Sequence, residues 1–208
     1  MAACKPNSSD LPAAQPPTGL VAYFNLIPNG SAINFYINGS RQNANKIAYN
    51  EYSGYITVPS GEQSVLFKTD SLRNNLFDPV TATLATDYTT IFVTGNSATN
   101  LIYARDTAVI DASNYKPKLR FINASANSPG YDVVLKNVSI NNTAYKGISK
   151  FARVDTGTIA VNIKLTGSST SLITKTVNLG SNRVYTLFIY GTYSATGAGL
   201  NLGVIANK

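Results

Sequence analysis

Two stretches of the chain share one order of hydrophobic and polar positions. The segment AYFNLIPNGSAINFYI (22–37) returns in blurred form ninety-eight residues later as RFINASANSPGYDVVL (120–135). In each copy a short apolar run leads into a polar turn cluster and then into a run with alternating apolar residues. Because successive side chains of a strand point to opposite faces, the alternation places the apolar ones on one face. Each copy is therefore predicted to be a pair of strands linked by a turn.

The repeat continues beyond these strand pairs. AYNEYSGYITVPSGEQSVLFK (48–68) aligns with AYKGISKFARVDTGTIAVNIK (144–164), and DYTTIFVTG (87–95) aligns with RVYTLFIYG (183–191). The alignment matches Asn25 with Asn123, Ser53 with Ser149, and Gly61 with Gly157. Short strands that recur every ~8–12 residues with turn signals between them are typical of a sandwich or barrel. Each unit of roughly ninety residues, predicted to hold six or seven strands, has the size of an immunoglobulin-like domain.

The predicted fold is all-β, with two tandem immunoglobulin-like β-sandwich domains. Thirteen Tyr and eight Phe favour strands, and fifteen Gly and nine Pro supply turns. The predicted organisation is a flexible N-terminal tether at 1–19, a first sandwich at 20–104, a linker at 105–117 and a second sandwich at 118–208. We find no apolar run of eighteen residues, the length that a membrane-spanning helix needs.

The opening of the second unit carries a family resemblance. It resembles a bacterial family known as domain of unknown function 4397, whose repeats open with Arg-x-x-[His/Asn]-Ala-Ser-x-x-x-Pro-x-x-Asp-Val. That pattern is filled by Arg120, Asn123, Ala124, Ser125, Pro129, Asp132 and Val133. In the first unit the Arg, Ala, Ser and Asp are replaced by Ala22, Leu26, Ile27 and Asn34. The resemblance implies a secreted or surface-anchored immunoglobulin-like module, and it brings no established activity and no catalytic residues.

The N-terminal stretch indicates where the protein is located in the cell. Cys4 ends the sequence MAAC and precedes KPNSSDLPAAQPPTG, a polar, Pro-rich stretch that is predicted to be an extended tether. Small residues before a Cys resemble a bacterial lipobox, in which the Cys thiol receives a lipid, although Leu is commoner where Met1 stands. We therefore predict lipid attachment at Cys4 and a place in the cell envelope, as an outer membrane lipoprotein or at the cell surface, with the periplasmic face left open. The alternative is an incidental cysteine.

Catalytic chemistry finds little support in the sequence. The chain has no His and one Cys, which excludes a Cys/His metal site and a His-based triad. The sequence DTG (155–157) resembles an aspartic protease turn, but its repeat counterpart is PSG (59–61), so no second carboxylate is available and a hairpin turn explains both. We expect no catalytic residues, no metal and no cofactor, and a hydrolase is the less favoured alternative.

Charge divides the chain unevenly. Residues 1–112 hold six Lys/Arg and eight Asp/Glu, net −2, whereas residues 113–208 hold eleven and two, net +9, which together give the total of +7. A basic domain attracts anionic partners such as an acidic polysaccharide, lipopolysaccharide or an envelope protein, and the alternative is a surface that is merely soluble. No nucleic-acid fold motif is present, and we expect no nucleic-acid partner. The predicted contacts are Lys116, Lys118, Arg120, Lys146, Lys150 and Arg153.

Tyrosines supply a second candidate surface. Tyr49, Tyr52 and Tyr55 lie close together in the sequence and would suit glycan stacking or protein contact, although strand propensity also explains them. The functional hypothesis is a noncatalytic, lipid-anchored binding or adhesion module of the cell envelope, in contact with the membrane only through its anchor. Its rival is a structural or assembly protein of the envelope without a ligand.

Overall fold

The computed structural model describes residues 15–70, 73–110 and 114–207. Its first unit has eight strands in two sheets, ordered β4-β1-β7-β8 and β3-β2-β5-β6. In these ranges one short 3-10 helix, Ala98–Asn100, accompanies the strands. The strands are β1 (Thr18–Asn25), β2 (Ile33–Ile37), β3 (Ser40–Arg41), β4 (Ile56–Pro59), β5 (Gly61–Thr69), β6 (Val80–Leu84), β7 (Tyr88–Val93) and β8 (Leu101–Arg105).

The second unit repeats this plan with sheets ordered β12-β9-β15-β16 and β11-β10-β13-β14. The predicted all-β fold of two tandem immunoglobulin-like sandwiches is confirmed. Each unit has eight strands rather than six or seven, because strands as short as β3 and β12 leave no alternating pattern. The strands are β9 (Lys118–Asn123), β10 (Tyr131–Leu135), β11 (Val138–Thr143), β12 (Ala152–Arg153), β13 (Gly157–Leu165), β14 (Ser171–Leu179), β15 (Val184–Gly191) and β16 (Leu200–Ala206). The boundaries 1–19, 20–104, 105–117 and 118–208 stay a prediction.

Each sandwich encloses its own apolar core between its two sheets. In the first, Tyr23, Phe35 and Phe67 are fully buried with ring centroids 5.0–5.5 Å apart. In the second, Phe121 and Tyr131 are buried among aliphatic side chains. Full burial of a large apolar side chain stabilises a fold by about 1.5–3 kcal/mol, so these cores hold each domain together.

Matched polar residues fix the same turns in both units. The Nδ2 of Asn25 donates to the carbonyls of Ser31 and Ile47, and its Oδ1 accepts from the backbone N–H of Ile27. Asn123 makes the same three bonds, with Pro129, Thr143 and Ser125. The hydroxyls of Ser53 and Ser149 accept at 2.9 Å from the backbone N–H groups of Tyr23 and Phe121. The residue matches predicted from the repeat therefore hold at the level of individual hydrogen bonds.

The two sandwiches meet through sheets β4-β1-β7-β8 and β12-β9-β15-β16. A third apolar cluster fills this interface, and its members are Phe24, Leu26, Phe92, Ile102, Ala104, Ile122, Ala124, Phe188 and Tyr190. The central strands of the two sheets are thus buried on both faces, which explains why their apolar runs are continuous rather than alternating.

Contacts across the interface come in reciprocal pairs. Phe92 and Phe188 occupy matching places in the repeat, and their rings touch with centroids 5.2 Å apart. Tyr49 of the first domain packs edge-on against Tyr190 of the second at 6.2 Å, and the hydroxyl of Tyr145 bonds at 2.7 Å with that of Thr94. The domains therefore pack as a two-fold dimer does, with the same surface on each side.

Candidate binding surface

The basic residues predicted from the sequence lie along one edge of the second domain. Residues 144–155 run antiparallel beside β9: Ile148 bridges Ile122, and Arg153 is the register partner of Lys118. At roughly 3.3 Å per residue, the six-residue β9 beside it measures about 20 Å. Exposed or half-buried cations follow it, and we name them the basic edge: Lys116, Lys118, Lys146, Lys150 and Arg153.

Arg120 does not belong to this surface. It is 2% exposed, because alternation along β9 places it with Ile122 on the face that packs against the first domain. Its Nη2 donates to the carboxylate of Asp106, its Nη1 to the carbonyl of Arg105 at 2.7 Å and its Nε to the hydroxyl of Thr186 at 2.9 Å. The expectation that Arg120 contacts an external anion is therefore corrected.

Asp106, in the predicted linker, is the centre of this buried network. It is 2% exposed, and both carboxylate oxygens accept hydrogen bonds, at 2.7–2.8 Å from Tyr55, Thr90 and Asn207. Burial lowers the pKa of Arg120, while the Asp106 carboxylate acts in the opposite direction. Burial, and then the charge of Asp106, raise the pKa of Tyr55. Partners from both domains satisfy the charge, so the network ties the domains together.

The cations of the basic edge differ in their local partners. Lys116 forms an ion pair with Asp155 at 2.9 Å, and this hydrogen bond lowers the pKa of Asp155. Lys118 donates to the carbonyl of Val109 at 2.6 Å. Lys146 reaches across to the first domain and donates to the carbonyl of Thr99 at 3.0 Å. These bonds to neutral carbonyls hold the two ammonium groups in place without neutralising them.

Lys150 lines a groove about 460 Å³ in volume. Within the described ranges its ammonium group has no protein partner, and the side-chain amide of Asn141 in the same groove has none either. We name this concavity the second-domain groove, and its lining residues are Ile140, Asn141, Asn142, Thr143, Ala144, Gly147, Ile148, Ser149 and Lys150.

The two carboxylates of the second half of the chain do not cancel this charge. Asp155 lies against Lys116 and, at 4.0 Å, Lys136. Asp132 accepts hydrogen bonds from the backbone N–H groups of Asn142 at 2.7 Å and Gly167 at 3.0 Å. Asp155 thus pairs with one cation of the basic edge, Lys116, and Asp132 bonds to backbone groups, so neither carboxylate binds Lys118, Lys146 or Lys150.

The matching edge of the first domain carries tyrosines. Tyr49 and Tyr52 are each 37% exposed, and Tyr55 is half-buried over Asp106. A groove of about 300 Å³ lies at the position that corresponds to the second-domain groove. We name it the first-domain groove, and its lining residues are Gln42, Asn43, Ala44, Asn45, Ile47, Tyr52, Ser53 and Ile56.

The DTG sequence forms a turn that leads from β12 in one sheet to β13 in the other, as PSG does between β4 and β5, so it is a connection between sheets rather than the predicted hairpin. Gly157 has a φ of +98°, its counterpart Gly61 has +82°, and the carboxylate of Asp155 binds Lys116. In the described part of the chain no three His, Cys, Asp or Glu side chains cluster as metal ligands would. In the same part no helix has the length and hydropathy that crossing a membrane requires. Cys4, the predicted lipid attachment site, lies outside the described residues.

Sequence reasoning missed the network around Asp106. Its signal lay in the repeat, where Thr90 matches Thr186 and Asp106 matches Asn207 at equivalent strand ends. The continuous apolar runs of β7 and β15 were a further signal of a second buried face.

Comparison with known proteins identifies a family. The model of the family described as domain of unknown function DUF4397 matches residues 19–116 and again residues 117–208. No curated protein matched the chain.

Two solved structures are similar at low levels. One is CBMbc, of family CBM26, from Eubacterium rectale Amy13K in complex with maltoheptaose, with 12% identity, a TM-score of 0.28 and coverage of 92% of this chain and 97% of that chain. The other is a proposed cell adhesion protein from Bacteroides uniformis ATCC 8492, with 11% identity, a TM-score of 0.26 and coverage of 90% and 98%. Likenesses at these TM-scores carry no inference about this chain.

Proposed function

The chain belongs to the family described as domain of unknown function DUF4397, as a tandem pair of its domains, and from this premise we propose that it is a noncatalytic binding module of the cell envelope. Its ligand is an acidic polysaccharide, and the basic edge is the contact surface. Lipopolysaccharide and an envelope protein are the other anionic partners that the charge permits.

The observation that carries this proposal is the placement of charge along the basic edge. Cations from β9 and from residues 144–155 follow one line, where Asp155 pairs with Lys116 alone, and Asp132 bonds to backbone N–H groups instead. A row of like charges raises the local concentration of a polyanion, and a linear row suits an extended polymer chain better than a compact ligand. The second-domain groove adds amide and hydroxyl groups that suit sugar hydroxyls.

The joint between the domains supports the same proposal. Because the interface is apolar and its buried charge is fully paired, the second domain is held in one orientation relative to the first. We propose that lipid attachment at Cys4 and the tether that follows it present this rigid body at the envelope. Expressed with its leader, the protein should partition with membranes, and Cys4→Ser should release it.

Binding to alginate, a polymer of acidic sugars, tests the ligand. The trio variant Lys146→Gln, Lys150→Gln and Arg153→Gln should weaken binding by about five- to tenfold at 0.1 M salt, where screening extends over about 10 Å. Its matched control is Lys68→Gln, Lys164→Gln and Lys175→Gln, which removes the same charge from β5, β13 and β14, in the two sheets that do not contain the basic edge. The control should change affinity by less than about twofold, since charges that far apart are screened.

The form of the ligand provides the second control. Carboxyl-reduced alginate keeps the polymer and removes its charge, so it should not bind at the basic edge. If both triple variants weaken alginate binding equally, net charge rather than the basic edge is responsible. Preferential binding to vesicles that contain phosphatidylglycerol would replace the polysaccharide with a lipid surface as the ligand.

A structural role in envelope assembly is the second candidate, and the fully paired charge between the domains favours it. Such a rigid joint would serve a spacer as well as a binding module. Absence of binding to alginate, lipopolysaccharide and anionic vesicles, together with envelope defects on deletion, would favour this role.

A further inference from the structure

The first-domain groove contains an aromatic ring that is fixed in place before any ligand arrives. Phe24, 4% exposed in the domain interface, stacks against the ring of Tyr52 with centroids 4.7 Å apart and planes 27° from parallel. Tyr55 packs edge-on against Tyr52 with ring centroids 6.3 Å apart, and the Tyr55 hydroxyl donates to Asp106. Burial raises the pKa of Tyr52 to about 12, so the ring is uncharged at neutral pH.

One face of this ring is left open. Since Phe24 covers the opposite face, the 37% of Tyr52 that remains exposed belongs to the free face and the ring edge that lines the groove. An aromatic ring held on one side offers a large apolar contact at little cost in conformational entropy. The groove therefore has a preorganised platform.

Polar groups beside the platform are amides. The side chain of Asn45 is exposed and has no hydrogen-bond partner within the described ranges, and Gln42 uses its Nε2 on the carbonyl of Ser40 and keeps its Oε1 for a ligand. The side chain of Asn43 accepts from the backbone N–H of Phe35 and donates to the side chain of Asn34, so it forms a fixed part of the groove wall. The groove lining includes no charged side chain.

A flat apolar face flanked by uncharged hydrogen-bonding groups matches one ligand chemistry. A pyranose ring presents C–H groups on its face, which suit an aromatic ring, and hydroxyls on its rim, which suit amides. We propose that the first-domain groove is a binding site for a neutral pyranose unit of a glycan, with Tyr52 as its platform. This site is separate from the basic edge and does not depend on an acidic ligand.

The repeat supplies a built-in comparison for this site. Ile148 holds the position of Tyr52 in the second-domain groove, where it bridges β9 as Tyr52 bridges β1. An aliphatic side chain offers no ring face to a sugar. We therefore expect the neutral sugar to bind once per chain, in the first domain.

The experiment measures retardation of the full chain by soluble neutral polysaccharides in native gels. The probes are laminarin, xyloglucan and dextran. Tyr52→Ile, which copies the second-domain residue, should weaken binding to the best of them by at least about tenfold. Tyr52→Phe keeps the ring and should stay within about threefold of the parent, and Asn45→Ala, which removes an exposed amide, should weaken binding by about two- to fivefold.

The control is Tyr49→Ile, because Tyr49 has the same exposed fraction as Tyr52 and does not line the groove. It should leave binding within about twofold of the parent. Thermal midpoints of all variants show whether a loss reflects unfolding, and Asn45→Ala tests the site without disturbing the ring stack. Absence of retardation by any of the three probes, or equal losses in Tyr49→Ile and Tyr52→Ile, overturns the proposal.

Failure of this site is distinguishable from failure of the proposed function. The trio variant of the basic edge should retain binding to neutral polysaccharide and lose binding to alginate. If it loses both, the sugars bind at the basic edge and the groove proposal is wrong. If alginate does not bind the parent protein and laminarin does, the groove stands and the acidic ligand does not.

Discussion

Residues 47–59 of the first domain and 143–155 of the second follow the same backbone path and present different chemistry. In both, a serine hydroxyl accepts a hydrogen bond from a backbone N–H of the first strand of the unit. A buried asparagine donates to the backbone carbonyl at the start of the segment. Outward positions carry tyrosines in one segment and lysines in the other. Side chains that bond to the backbone are thus the same in both units, and those that face outward differ.

The same lesson applies to the faces that meet between the domains. Apolar counterparts such as Phe92 and Phe188 pack reciprocally, but the charged centre has no mirror image. The position of Arg120 is Ala22 in the first unit, and that of Asp106 is Asn207 in the second. This buried ion pair therefore breaks the approximate two-fold symmetry and makes the two sides of the interface different.

Removing one partner of this ion pair should have the largest effect on stability. Arg120→Ala leaves the carboxylate of Asp106 buried without its cation, and we expect a loss of about 3–5 kcal/mol. The double variant Arg120→Ala and Asp106→Asn replaces each residue with the one at the matching position of the other domain. It should recover at least about 1 kcal/mol because no buried charge remains. Urea unfolding at pH 7 measures both. A double variant no more stable than Arg120→Ala contradicts this account.

The matched asparagines should have the next largest effect, and it should be equal in the two domains. Asn25→Ala and Asn123→Ala each remove the same three hydrogen bonds, to two carbonyls and one N–H, from a buried turn. We expect a loss of about 2–4 kcal/mol for each, with the two values within about 1 kcal/mol of one another. Urea unfolding curves of the two variants provide the comparison. A loss confined to one variant would mean that only one turn depends on its asparagine.

The positions of strands and turns along the chain were predictable because they follow from local rules. Alternation in 131–135 predicted a strand and the Gly positions at 61 and 157 predicted turns, and the structure contains both, although these two turns connect different sheets rather than the strands of a hairpin. The basic edge was predictable in part, since sequence proximity placed Lys146, Lys150 and Arg153 in one segment.

The fate of Arg120 was not predictable from its strand alone. Alternation assigns a residue to a face, but the packing of a second domain on that face decides whether the residue is exposed. The groove beside Tyr52 was not predictable for a similar reason, because the stacking of Tyr52 on Phe24 joins two segments that are apart in the sequence.

A graft should move part of the basic edge to the first domain. Asn50 and Thr57 correspond to Lys146 and Arg153, and Asn50 has the left-handed backbone of Lys146, with φ of 63° and 65°. Asn50→Lys and Thr57→Arg, introduced into the trio variant, should restore alginate affinity by about two- to threefold. Affinity gels with alginate measure the gain. The control graft Glu62→Gln and Asp78→Asn makes the same net change in charge elsewhere in the domain, and an equal gain there would attribute binding to net charge.

The smallest expected effect concerns Asp132. The hydrogen bond from the backbone N–H of Asn142 lowers the pKa of Asp132 most, burial acts in the opposite direction, and the smaller effect of the Gly167 N–H lowers it further. A carboxyl whose pKa is lower in the folded protein stabilises the fold fully above its unfolded pKa of about 3.9, and loses that contribution as the pH falls through its folded pKa. Asp132→Asn should therefore cost less than about 1 kcal/mol at pH 6, since the group is only half-buried and solvent screens its charge, and the difference from the parent should shrink at pH 3. Asn25→Ala provides the comparison, because its amide bonds only to backbone groups that do not titrate and its cost should be the same at both values, whereas Asn34, the counterpart of Asp132, donates to the titratable carboxylate of Asp70. Urea unfolding at pH 6 and pH 3 measures both differences. A cost for Asp132→Asn that does not change with pH would mean that the turn needs only an oxygen acceptor at this position and not a charge.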